Sequence, residues 1–214
     1  MSATLHLGDC LGFLKAMPDK SVDVLITDPP YGIAITRKSN NFGVRTDAAR
    51  QASGEAWDDA RPDAEYFAEM LRVSRRQIIF GGNYFMEFLP STRCFIVWDK
   101  RGDLPEVPFA PVEWAWTSFD RQPVRYVVRN HGFIRDSREP REHPTQKPLL
   151  LLDRIVADFT APTDTILDCY MGSGTTGVAA TKAGRAFVGI ERKPDYFAIA
   201  ERRIGEAQPQ LLEV

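Results

Sequence analysis

From Thr4 to Gly8 polar and apolar residues alternate, the period of a half-buried strand, and Leu11, Leu14 and Met17 then recur at helical spacing until Pro18 stops them. Val22 to Ile26 is a short, mostly apolar run, the pattern of a parallel-sheet strand. Asp63 to Ser74 places Phe67, Met70, Leu71 and Val73 on one helical face, and a strand follows from Gln77 to Phe80. Phe95 to Trp98 and Val112 to Phe119 predict two strands with no helix between them, which suits an antiparallel pair at a sheet edge. A helix with Leu149, Leu152, Ile155, Val156 and Phe159 on its apolar face precedes a strand from Asp164 to Asp168. A helix to about Ala183, a strand from Ala186 to Ile190 and a helix from Pro194 to Ile204 complete the chain. Strands alternating with helices predict an α/β fold with a mostly parallel sheet.

Two stretches carry no period. Residues 33 to 58 predict a long mobile loop, and loops of that length inside a compact domain are usually lids or binding elements. Residues 121 to 142 hold six arginines, Arg121, Arg125, Arg129, Arg135, Arg138 and Arg141, against three acids. Guanidinium forks suit phosphate or base-edge contacts, although a solvated strand and loop has the same look.

Composition narrows the picture only a little. At 214 residues, 43% hydrophobic and 26% charged, the chain suits one globular domain. No apolar run approaches a membrane span, and the first residues lack the basic and apolar regions of a signal peptide, so a cytoplasmic protein is expected. Cys10, Cys94 and Cys169 are far apart and imply neither a disulfide nor a zinc site. A net charge of -2 gives no global pull on nucleic acid, so such a partner would be met by the local basic segments.

Candidate chemistry concentrates at strand ends. Asp28, Pro29, Pro30 and Tyr31 follow the first buried strand, where open α/β sheets bind ligands. The Asp28 carboxylate and the Pro29 carbonyl are two acceptors beside an aromatic ring, a set that suits a planar group bearing an exocyclic NH2. Gly172-Ser173-Gly174-Thr175-Thr176-Gly177 fits G-x-G-x-x-G between strand and helix, and Glu191 follows at the spacing of a ribose-binding acid. That loop alone does not separate a dinucleotide from S-adenosylmethionine. Chain order does, because too few residues follow Gly177 to complete a dinucleotide fold.

Asp28-Pro29-Pro30-Tyr31, then His143-Pro144-Thr145-Gln146-Lys147-Pro148, then Asp168-Cys169-Tyr170-Met171-Gly172-Ser173-Gly174-Thr175-Thr176 together resemble the beta-class DNA amino-methyltransferases. The resemblance implies a Rossmann-like fold with a seven-stranded, mostly parallel sheet and an antiparallel edge hairpin, with S-adenosylmethionine as methyl donor. It places Asp168, Tyr170 and the loop Gly172, Ser173, Gly174, Thr175, Thr176 under the methionine part, and Glu191 on the ribose. Asp9 and Cys10 fall at the adenine, and Thr145 and Lys147 flank the methionine carboxylate. Asp28, which borders the cofactor, opens the catalytic segment Asp28, Pro29, Pro30, Tyr31. An aspartate there is commoner among adenine-N6 enzymes and a serine among cytosine-N4 enzymes. DNA is the implied partner, with a homodimer also within the family's range, and no metal is implied. RNA or a protein amide is the alternative amino substrate. The recognition region is reduced to about residues 120 to 142, shorter than in members that read a defined sequence.

Overall fold

The computed structural model describes residues 2–33, 61–104, 110–131, 134–136, 139, 142 and 146–207. Most of the predicted loop at 33 to 58, Arg138, Arg141 and Thr145 lie outside them. The strands are β1 (Ala3–Leu7), β2 (Val22–Thr27), β3 (Ser74–Phe80), β4 (Phe95–Asp99), β5 (Val112–Thr117), β6 (Val124–Val127), β7 (Asn130–His131), β8 (Ile134–Arg135), β9 (Thr165–Asp168) and β10 (Ala186–Glu191). The helices are α1 (Cys10–Ala16), α2 (Ala64–Val73), α3 (Leu149–Phe159), α4 (Thr175–Lys182) and α5 (Pro194–Ala207).

The main sheet runs β1-β10-β9-β2-β3-β5-β4-β6, and β7 and β8 form a small antiparallel pair of their own. It has eight strands among the described residues where seven are expected. The addition is β6, whose Val124 and Tyr126 point inward between exposed or half-exposed neighbours and which pairs parallel with β4. The expected edge hairpin is therefore not at the edge. Among the described strands of this sheet only β5 runs against its neighbours, antiparallel to both β3 and β4.

Side-chain alternation on the central strands puts a core on each face. Val24 and Ile26 of β2 pack with Ile78 and Phe80 of β3 under α3, α4 and α5, through Leu152, Ile155, Val178 and Ile204. Leu25 and Ile79 face the other way, against Leu14 of α1 and Phe67 and Met70 of α2. Asp9 caps α1 by accepting from the Leu11 amide at 2.9 Å, and Asp63 caps α2 through the Glu65 amide at 3.0 Å. Such caps satisfy backbone donors that a helix start leaves over.

Crossovers leave the sheet centre in opposite directions. From β2 the chain passes by α2 to β3 on one side, and from β9 by α4 to β10 on the other. The carboxyl ends of β2 and β9 are thus the topological switch point, the crevice where α/β sheets take ligands. Val24 and Leu25 register with Ile166 and Leu167 there. Just beyond, the Thr27 hydroxyl donates to the Asp168 carboxylate at 2.8 Å.

Candidate active site

A cavity of about 400 Å3 opens above this switch point, within the usual size range of ligand pockets. Asp9 and Cys10 at the turn from β1 into α1, Asp28 and Pro30 after β2, Lys147 before α3, Asp168 at the end of β9 with Tyr170 after it, and Glu191 at the end of β10 all line it. Gly172, Ser173, Thr175 and Thr176 of the glycine loop complete the wall. Pro29 and Gly174 are buried and Tyr31 is half-buried, and none of the three is part of that wall. The sequence motifs from both halves of the chain thereby meet in one place.

In the glycine loop, Gly174 has φ +80 and caps α4 in a left-handed conformation. A Cβ there would come within 2.8 Å of the Ala200 Cβ on α5, so only glycine lets the loop lie this close to the last helix. Glu191 fastens the loop from the other side. Its Oε2 accepts from the Gly172 amide at 2.9 Å and its Oε1 from the Lys193 amide at 2.8 Å. Each carboxylate oxygen keeps a lone pair for a further donor.

Asp168 is the buried acid of the cavity. Burial raises its carboxyl from 3.8 to about 6, against donors that favour the charged form: the hydroxyls of Thr176 and Thr27 and the Tyr170 amide at 3.1 Å. The negative charge of Asp28 adds to the upward push. Cys10 is buried as well, and burial pushes its thiol up to about 12, so it is a neutral wall and no nucleophile.

Beyond β2, Asp28 accepts from the Tyr31 hydroxyl at 2.6 Å and from Lys147 Nζ at 2.5 Å. The Tyr31 ring lies nearly parallel to that of Tyr84, with centroids 4.9 Å apart and an interplanar angle of 17°. Gly81, at φ +66, gives the Tyr31 ring its place, since a Cβ there would stand 2.1 Å from a ring carbon. Lys147, placed by the motif at the cofactor carboxylate, has its ammonium between Asp28 and Glu113, 3.3 Å from the latter.

Sequence reasoning passed over three residues that organise the site. Tyr66 of α2 lines the cavity and donates to Asp9 at 3.1 Å. Arg203, buried on α5, donates to the Ser173 carbonyl at 2.6 Å and to Glu139 at 2.9 Å, tying the last helix to the glycine loop. Glu113 on β5 holds Lys147. A lone Glu in V-E-W-A-W gave no local signal, because its partner lies far along the chain. Among the described arginines of the segment, three are engaged with the protein itself: Arg125 pairs with Asp99 at 2.6 Å, Arg129 with Asp136 at 2.8 Å, and Arg121 sits over the Phe159 ring.

A mostly parallel sheet with acids beyond β1 and at the ends of β9 and β10, a glycine loop entering α4 and a carboxylate beyond β2 make up a Rossmann-like methyltransferase fold. Comparison with known proteins agrees. The type II methyltransferase M.HinfI of Haemophilus influenzae is 26% identical, over 96% of this chain and 69% of its own length. The solved structure of the M1.HpyAVI–SAM complex is similar at a TM-score of 0.59 and 26% identity, over 95% of this chain and 99% of that one. The cytosine-N4-specific PvuII DNA methyltransferase shares the fold at a TM-score of 0.63 and 16% identity, over 95% of this chain and 86% of its own. The N6/N4 DNA methylase family model matches residues 93–202. The chain belongs to this family, the DNA amino-methyltransferases.

Proposed function

We propose that the protein transfers the methyl group of S-adenosylmethionine to the exocyclic amino group of adenine in DNA. The observation that carries this reading is the meeting of Asp28 with Asp168 and Glu191 in one cavity, which sets an amino-group acceptor beside a cofactor site. The residues fit the cofactor. Asp168 is a desolvated acid whose charged form a sulfonium or ammonium would favour, and Glu191 has acceptor capacity for ribose hydroxyls. Cys10, Tyr66 and Tyr170 offer apolar and aromatic surface for an adenine. M1.HpyAVI was solved with the same cofactor.

When bound, the cofactor supplies a methyl group that carries positive character. The chain's own residues prepare the acceptor. An aromatic amino nitrogen is a poor nucleophile because its lone pair is delocalised into the ring. Asp28, which lines the cavity, accepts its hydrogens and favours a more tetrahedral nitrogen; the family resemblance adds the Pro29 carbonyl, which is not part of the wall. The nitrogen loses one hydrogen as the methyl is added, and the Asp28 carboxylate is the acceptor placed for it. Holding the two reactants together supplies much of the remaining acceleration. A base inside a duplex cannot reach the cavity, so it is flipped out at a cost of a few kcal/mol. Adenine is favoured over cytosine by the aspartate that opens the catalytic segment.

Incubation with unmodified DNA and labelled donor, followed by digestion to nucleosides and mass spectrometry, tests both levels. Label is expected in N6-methyladenine. Label confined to N4-methylcytosine overturns the base assignment alone, and donor binding without label in either base overturns the reaction. Asp28→Ala is expected to abolish labelling while donor affinity stays within about tenfold, or 1.4 kcal/mol.

A further inference from the structure

Asp28 does not stand alone: behind it lies a row of alternating charges that neither the motifs nor the cavity explain. Lys147 Nζ touches Asp28 Oδ2 at 2.5 Å and Glu113 Oε2 at 3.3 Å, and Glu113 Oε1 is paired with Lys100. Glu113 Oε2 is sealed from solvent and lacks a hydrogen bond of good geometry, so the Lys147 ammonium is its partner by charge. From the other elements around it, Lys147 meets the Tyr31 hydroxyl at 3.5 Å and the Phe80 ring of β3 at 5.0 Å. Among the described residues, Asp28, Tyr31 and Glu113 are therefore the titratable groups facing it, with Lys100 beyond.

We propose that Glu113 is a positioning residue for methyl transfer: it draws on the charge of Lys147 so that Asp28 keeps its strength as acceptor for the target amino group. An ammonium given wholly to Asp28 would satisfy the carboxylate that has to receive the amino hydrogens. Shared between two carboxylates, the same ammonium fixes the orientation of Asp28 without using up its charge. β5 delivers this counter-charge because it runs against its neighbours. Its first residues, Val112 and Glu113, therefore lie at the carboxyl edge of the parallel strands, level with Asp99 and Trp98 at the end of β4. Burial disfavours the charged form of Lys147, yet Asp28 and Glu113 carry its ammonium above the ordinary lysine value. Burial likewise opposes the charge on Glu113, and Lys147 and Lys100 hold that carboxyl below its usual range. Stability alone gives no reason for such a row, since buried ion pairs replaced by apolar side chains of similar volume often leave a protein equally stable.

The inference rests on Asp28 acting as the amino-group acceptor. Glu113→Gln is expected to slow single-turnover methyl transfer by on the order of tenfold to a hundredfold, the range of a displaced reacting group. Donor and DNA dissociation constants stay unchanged. In protein carrying 13C-labelled lysine, the Lys147 Cε signal titrates at lower pH in Glu113→Gln. A Lys147→Met, Glu113→Gln double variant is no slower than Lys147→Met. Full turnover in Glu113→Gln, or a double variant slowed by the product of the two single effects, overturns the proposal. If Asp28→Ala itself keeps full turnover, it is the catalytic reading that fails; an inactive Asp28→Ala beside a fully active Glu113→Gln removes Glu113 alone. Should Glu113→Gln not fold, Lys100→Met leaves the buried acid in place and is expected to move the Lys147 signal to higher pH. An unmoved signal there overturns the proposal as well.

Discussion

Asp168→Asn tests whether the cofactor cavity is held at the expense of stability. In the folded chain burial raises this carboxyl from 3.8 to about 6. Between those pH values the folded protein keeps a proton that the unfolded chain has released, so folding stability falls as pH rises through the interval. The loss is complete above pH 6. At 1.36 kcal/mol per pH unit it amounts to about 3 kcal/mol. Asparagine has the same shape, still offers an oxygen to the Thr27 hydroxyl and the Tyr170 amide, and does not ionise. Urea denaturation of the ligand-free protein should therefore find the variant about as stable as the wild type near pH 4. At pH 7.5 it should be more stable by roughly 2 to 3 kcal/mol, with other titrating groups common to both. Donor binding should run the opposite way. A positively charged ligand end favours the ionised carboxylate, so wild-type affinity rises from pH 5 to 7, and the variant binds more weakly at neutral pH with little pH dependence. A variant less stable than wild type at pH 7.5, or a stability gap indifferent to pH, would refute the reasoning.

Gly81→Ala places a Cβ 2.1 Å from the Tyr31 ring at a position with φ +66. It should cost about 1 to 3 kcal/mol in denaturation experiments and reduce methyl transfer while donor binding persists; unchanged turnover would show that Tyr31 can shift without consequence. Arg121, Arg125 and Arg129 changed together to Ala should lower the salt slope of DNA binding by about one unit for each phosphate that an arginine no longer neutralises. Because Arg125 and Arg129 already hold Asp99 and Asp136, the change should stay below three, and an unchanged slope would remove the segment from the interface.

The layered fold was legible because its strands and helices carry their own periods. Val22 to Ile26 reads as a buried strand from its apolar run alone, without knowledge of its neighbours. β6 was not legible in the same way. Val124-Arg125-Tyr126-Val127 reads as part of an arginine-rich stretch until the free edge of β4 is there to receive it. The site divides similarly. Asp28, Asp168, the glycine loop and Glu191 are announced by local punctuation at strand ends. Glu113, Tyr66 and Arg203 act only through partners brought in by the tertiary fold, and Lys147 was visible as a motif residue although its ammonium lies toward Asp28.

The seam between β2 and β9 also sets the timetable on which this protein comes into being. Val24 must find Ile166, 142 residues later in the chain, before the two halves of the cavity face one another. At a synthesis rate of about 5 to 20 residues per second, β2 waits on the order of 7 to 30 s with one edge unmatched. During that interval its hydrogen-bonding groups are open to any extended strand nearby. The joining of Thr27 to Asp168, which completes the crevice, therefore falls among the slow, non-local closures that govern folding speed. Nascent chains are accordingly open to aggregation through the strand that leads into Asp28.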